Sequence, residues 1–153
     1  MTEDGGGRTG RIVRVAGPVV GVTGLEEVRL FDVVRVGELG LVGEVIRLSH
    51  DLAVVQVYEE TAGVRVGEPV ITTGLSLVAH LGPGLLGRIY DGLQRPLTDL
   101  RALSGNFIDR GVSPFPLPQA TRWPFMPRVR AGEIVSGGDI LGTVPETPAI
   151  THA

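Results

Sequence analysis

The chain has 153 residues, with 23 Gly, 22 Val and only 7 aromatic side chains; hydrophobic residues make up 42% and charged residues 20%. That length suits one ordinary domain or two small ones, and the composition excludes wholesale disorder and favours a mainly β chain. All 14 basic residues are Arg, Lys and Cys are absent and the net charge is −3, so these residues cannot supply a Lys-bearing phosphate loop, Schiff-base chemistry, biotinyl or lipoyl attachment, disulfides or thiolate metal ligands.

Residues 1–10 are acidic and glycine-rich and lack the apolar stretch of a signal peptide. They read as a disordered leader and a cytoplasmic start. No apolar run approaches ~18 residues, so no direct membrane insertion is expected. Arg is scattered rather than clustered, which is poor footing for nucleic acid.

Residues 11–74 are valine-rich with glycine punctuation. Short apolar stretches recur at Ile12–Val15, Val19–Val22, Val28–Phe31, Val33–Val36, Leu41–Leu48, Leu52–Tyr58 and Pro69–Thr72. Short strands at this spacing predict a small closed barrel, which also removes exposed strand edges. The clearest hairpin joins Leu41–Leu48 to Leu52–Tyr58. Ala53, Val55 and Val57 share one face of its second arm.

Residues 75–105 form a connector. Leu81-Gly82-Pro83-Gly84 cannot continue a strand, and Leu85–Leu93 has at most a helical turn or two, weakened by Gly87 and Gly92. Leu97–Leu103 is the better short helix, with Pro96 suited to its first turn and Gly105 to its stop. Residues 106–153 change character. Five prolines from Pro114 to Pro127 keep the chain extended, and then Arg128–Val135 and Gly138–Val144 read as two short strands of a partial second β unit.

Several candidate sites have a bland reading that is stronger than the chemical one. Gly82-Pro83-Gly84-Leu85-Leu86-Gly87 has dinucleotide spacing, but Pro83 removes an N–H that a phosphate would use; it reads as a turn. Asp91 and Arg95 could be an acid–base pair, but beside Gly92 and Pro96 they read as a turn-stabilising ion pair. Glu59 and Glu60 point to opposite faces of a strand and read as its solvated end. His50, His80 and His152 are too dispersed for a metal site. Trp123-Pro124-Phe125-Met126-Pro127 is either a partner patch or a small core, and the second suits a region with few other large side chains. The Gly138–Gly142 turn resembles half of a biotinyl/lipoyl hairpin without the Lys that a carrier needs.

A family signature runs through these segments. Gly10-Arg11-Ile12-Val13-Arg14-Val15-Ala16-Gly17-Pro18-Val19-Val20 resembles the opening strand of rotary ATPase head subunits. Val36–Leu48 and Val54–Gly63 look like the next barrel strands of the catalytic A subunit of V/A-type ATPases. Val66-Gly67-Glu68-Pro69-Val70, Thr73-Gly74 and Leu81–Leu86 continue the match. Ile89-Tyr90-Asp91-Gly92-Leu93-Gln94-Arg95-Pro96-Leu97 resembles the A subunit rather than its non-catalytic partner, and Val135–Glu146 resembles the inserted "bulge" of that subunit. Pro114–Pro118 and Gln119–Trp123 depart from the bulge pattern, and His80 stands where an acidic residue is expected.

The resemblance implies an N-terminal six-stranded β-barrel, a connector and a partial bulge. Asp91, Gly92, Arg95 and Pro96 would then be a structural connector towards a nucleotide domain, with no catalytic, nucleotide-binding or metal residue in this stretch. It further implies a piece of, or a reading frame shortened from, a longer catalytic subunit. The parent would use Mg-ATP, partner B subunits and other head subunits, and lie peripheral to the membrane, while this stretch needs no cofactor. The competing expectation is a free-standing β-barrel that binds a protein or an oligonucleotide; it needs a basic or stacking face that 7 aromatics and an acidic balance supply poorly.

Overall fold

The computed structural model describes residues 9–153. The first strand, β1 (Thr9–Ala16), takes in the last two residues of the expected leader; the rest of that leader lies outside the described residues. The chain divides into two units. The first comprises the barrel, to residue 78, together with residues 108–112; the second comprises residues 79–107 and 113–153.

In the first unit, β1 is followed by β2 (Val19–Thr23), β3 (Asp32–Val36), β4 (Leu41–Ser49), β5 (Leu52–Val57) and β6 (Pro69–Ser76). They close into an antiparallel barrel in the order β1-β2-β5-β4-β3-β6. Turn chemistry makes the tight corners. Gly17 takes φ 60° between β1 and β2, and His50 takes φ 45° at the tip of the β4–β5 hairpin.

The core follows the period of two. Val20 and Val22, Val34 and Val36, Leu41 and Val45, and Ala53, Val55 and Val57 all point inward, joined by Ile12 and Val70. Where alternation would bury a charge, the register slips. A shift between Ile12 and Arg14 turns Arg14 outward and packs Val15 against the core. A second shift, between Val45 and Arg47, leaves Ile46 and Arg47 outside. Gly43 lies between Leu41 and Val45 because nothing larger fits: a Cβ there would be 2.7 Å from Val55 Cγ1.

The expected strand at Val28–Phe31 is a loop. The Asp32 carboxylate accepts from the Arg29 N–H at 2.8 Å, and the Asp32 N–H donates to the Arg29 carbonyl at 3.2 Å. That closes a turn across Leu30 and Phe31, with Phe31 at φ 70° donating its N–H to the Val45 carbonyl. A local carboxylate–amide bond thus outcompetes an apolar run for the backbone.

In the second unit, α1 (Leu97–Ser104) is the expected short helix. Pro96 is its N-cap (φ −64°, ψ 122°), one position before the first turn, and the Gly105 N–H donates back to the Arg101 carbonyl at the stop. Leu85–Leu93 forms turns and no helix. The partial β unit is a three-stranded sheet of β7 (Met126–Pro127), β8 (Gly142–Thr147) and β9 (Ile150–His152), in that order.

The two strands expected at Arg128–Val135 and Gly138–Val144 are therefore misplaced, and two successive turns explain why. The Glu133 carboxylate accepts from the Arg130 N–H, and the Asp139 carboxylate from the Ser136 N–H. Gly132 and Gly138 supply φ 91° and 98° at the third position of these turns. Arg65-Val66-Gly67-Glu68 in the barrel folds in the same way, with Gly67 at φ 94°. The acid–amide bond occupies residues whose apolar content alone suggests a strand.

Candidate functional site

The connector residues singled out from the sequence converge on one loop. Asp91 is its hub. Its Oδ1 accepts from the N–H groups of Leu93 and Arg95, each at 2.9 Å, and its Oδ2 accepts from Arg95 Nε at 2.7 Å. The Asp91 N–H donates to the Arg95 carbonyl, and Tyr90 bridges Pro96 in antiparallel fashion. The chain reverses over this short loop, with Gln94 at φ 58°. Gly92 meets nothing that a side chain would strike, so its place in the loop is not sterically required.

Burial penalises the Asp91 carboxylate, but the Arg95 and Leu93 amides and the Arg95 guanidinium outweigh it and hold the pKa below the usual value. Both carboxylate oxygens are thus engaged within the loop. The loop is tied to its surroundings. Gln94 exchanges hydrogen bonds with the His80 backbone at 2.7 and 2.8 Å, and the Tyr90 hydroxyl donates to the Pro116 carbonyl at 3.1 Å. His80 is an exposed loop residue whose ring lies beside Phe115, ring centroids 5.3 Å apart.

The Gly82–Gly87 turn is occupied by the protein itself. β6 ends at Ser76, short of the turn, and the turn leads into further turns and not a helix. The Gly84 N–H, the donor a phosphate would want, is spent on Glu146 Oε1 at 2.8 Å. The other carboxylate oxygen of Glu146 meets His152 Nε2 at 2.5 Å. The hydrogen bonds from His152 and from Gly84 hold the Glu146 carboxyl below its ordinary pKa. Pro118 and Trp123 lie against Gly84 and the Phe125 ring against Gly142, while Phe125 and Met126 stay more than half exposed.

Glu59 departs from the solvated strand end expected of it. Its two oxygens accept from the Val42 N–H at 3.2 Å and the Gly111 N–H at 2.9 Å. Neither role could be assigned from sequence, because the amides that Glu59 holds lie 17 and 52 residues away and the Gly84 amide that Glu146 holds lies 62 residues away. The Arg/Ser-x-Gly-Glu/Asp pattern at 65–68, 130–133 and 136–139 was the available signal for the capped turns.

Among the described residues, no group of three or more His, Asp or Glu is placed to hold a metal ion. A cavity of about 470 Å³ at one end of the barrel is lined by Glu26, Glu27, His50 and Asp51 over Leu25 and Leu52. Three carboxylates and no Arg make that lining repulsive to a triphosphate. No helix among the described residues is long and apolar enough to cross a membrane.

Residues 12–74 match the model of the ATP synthase alpha/beta family, beta-barrel domain, and residues 115–153 match that of the ATPsynthase alpha/beta subunit barrel-sandwich domain. The chain is 60% identical over 143 residues to a Pyrococcus abyssi protein named as the A subunit of an A-type ATP synthase, covering 94% of this chain and 14% of that one. It is 59% identical over 143 residues to a protein of the same name from a Desulfurococcus species, covering 24% of that relative. With the Thermofilum pendens protein of that name it shares 52% over 147 residues, again 24% of the relative. The chain thus spans a quarter or less of the length of these curated relatives.

Proposed function

The chain belongs to the ATP synthase alpha/beta family, and from that premise we propose that it is the non-catalytic N-terminal portion of the catalytic A subunit of a V/A-type ATPase. In this reading it helps assemble a ring of alternating A and B subunits that couples ATP hydrolysis or synthesis to proton or sodium movement. The closed barrel supports the reading. Buried side chains from all six strands fill a cylinder that leaves no free strand edge, and such a unit deforms little under load. It would serve as a fixed collar while nucleotide-binding parts of a parent protein open and close. The Tyr90–Pro96 loop would carry the chain from collar to motor as a preformed, hydrogen-bonded corner.

This stretch would itself hold no nucleotide. Mg-ATP would be bound elsewhere in the parent, and the partners would be B subunits and other head subunits at the membrane periphery. The alternative, a free-standing β-barrel that binds a protein or an oligonucleotide, is not favoured, because the relatives described above carry the names of ATP synthase subunits and the charge balance is acidic.

The test has two arms. Calorimetric titration with Mg-ATP is expected to show no specific binding, and a micromolar site overturns the assignment. Mixed with full-length A and B subunits of a relative, the chain is expected to reduce ring yield by competing for barrel contacts; an unchanged yield at large excess argues against the collar role.

A further inference from the structure

Residues 108–112 belong to the barrel unit although residues 79–107, which are part of the other unit, separate them from its last strand. Hydrogen bonds to barrel residues help to seat them. The Gly111 N–H donates to Glu59 Oε2 at 2.9 Å, while Glu59 Oε1 accepts from the Val42 N–H at the start of β4. The Arg110 guanidinium donates to the Ala62 and Glu60 carbonyls, beyond the end of β5. Gly111 takes φ 75°, and a Cβ there would collide with the Leu39 carbonyl, so only glycine allows the backbone to lie this close.

The way these residues are held differs in kind from the rest of the barrel. Ile108, Asp109 and Arg110 are exposed, Gly111 and Val112 only half-buried, and none joins the apolar core. Segments fixed by surface hydrogen bonds without buried apolar contact open at free energies well below global unfolding. Strands such as β5, with Ala53, Val55 and Val57 in the core, open only when the barrel does.

We infer that residues 108–112 are a releasable strap, latched by Glu59 and Arg110, that opens as a unit while the barrel stays folded. With the strap seated, the intervening residues 79–107 are joined to the barrel unit at both of their ends; with it open, the covalent link after Val78 remains and the link at residue 108 no longer holds them to the barrel. The latch therefore sets how far the chain beyond the barrel can move without any strand being broken. The inference stands whether or not the chain works in a ring.

Native-state hydrogen exchange of the whole chain tests it. The Gly111 amide is expected to exchange through an opening insensitive to denaturant, and the Val55 amide only through global unfolding. Glu59→Gln leaves one acceptor oxygen for two amides, and about ten-fold faster exchange at Gly111 is expected with Val55 unchanged. Gly111→Ala, which cannot seat the strap, is expected to abolish protection there and leave the barrel's melting intact. Equal acceleration at Gly111 and Val55, exchange of Gly111 only with global unfolding, no change in either variant, or a Gly111→Ala protein that fails to fold overturns the strap as an independent unit.

Discussion

Asp91 and Arg95 close on each other at 2.7 Å while the backbone of Arg95 donates to the same carboxylate. One side chain thus engages both the ion pair and the path of the main chain. Removing that residue is more costly than removing a surface ion pair, because the Leu93 and Arg95 amides lose their acceptor as well.

Asp91→Ala is therefore expected to destabilise the second unit by about 1–3 kcal/mol, and to open residues 88–96 to protease. Asp91→Asn keeps an acceptor oxygen and is expected to fall between the Ala variant and the unaltered chain. Thermal unfolding followed by Trp123 fluorescence checks the order; equal melting of all three would show that Asp91 does not organise the loop.

Within the barrel, Val55 has no exposed surface. Val55→Asp places an unpaired carboxylate in the core and is expected to unfold the barrel, at a cost on the order of 3 kcal/mol or more. Gly43→Ala is expected to cost about 1–3 kcal/mol by pressing a methyl against Val55. Circular dichroism melts separate the outcomes. Unchanged melting of the Asp variant would mean that the inward face of β5 is wrongly assigned.

Asp91 and Glu146 both titrate below their ordinary values of 3.8 and 4.5. The folded state thus binds fewer protons than the unfolded state in that range, and stability rises with pH there. Their contribution is fully present above the ordinary values and is lost as pH falls through the lower folded ones. Acid unfolding of the second unit is expected to flatten in Asp91→Asn combined with Glu146→Gln, and a curve of unaltered shape would rule out these two carboxylates as its source.

Tyr58 titrates in the opposite sense. Its hydroxyl donates to the Glu44 carboxylate, and this bond, with partial burial and the nearby negative charge, pushes its pKa up to about 12. The stabilisation is fully present below the ordinary value of 10.0 and is lost as pH rises through the folded value. Phenolate absorbance should show a component titrating late, missing in Tyr58→Phe and shifted down in Glu44→Gln. A Glu44→Gln curve identical to that of the unaltered chain would contradict the bond.

The legible parts of the fold are the local ones. Alternation at Ala53, Val55 and Val57 gave the inward face of β5, and Gly105 gave the end of α1, because each is written in neighbouring residues. Val28–Phe31 and Arg128–Val135 misled for a related reason. Apolar content signalled strands, while Asp32, Glu133 and Asp139 each captured an amide three residues back and closed turns instead. Of the connector, the Asp91–Arg95 pair was legible from its spacing, whereas the Gln94–His80 and Tyr90–Pro116 ties were not.

The short valine-rich periods between glycines determined by themselves that this chain is mainly β, and the composition that it has no Lys or Cys. Only the tertiary structure decided that Glu59 holds two distant amides instead of facing solvent as a bare charge, and that residues 108–112 return to the barrel. The physical reason is range: side-chain alternation and turn chemistry act over about two to four residues, whereas the Glu59–Gly111 bond spans 52 and exists only once the chain has folded.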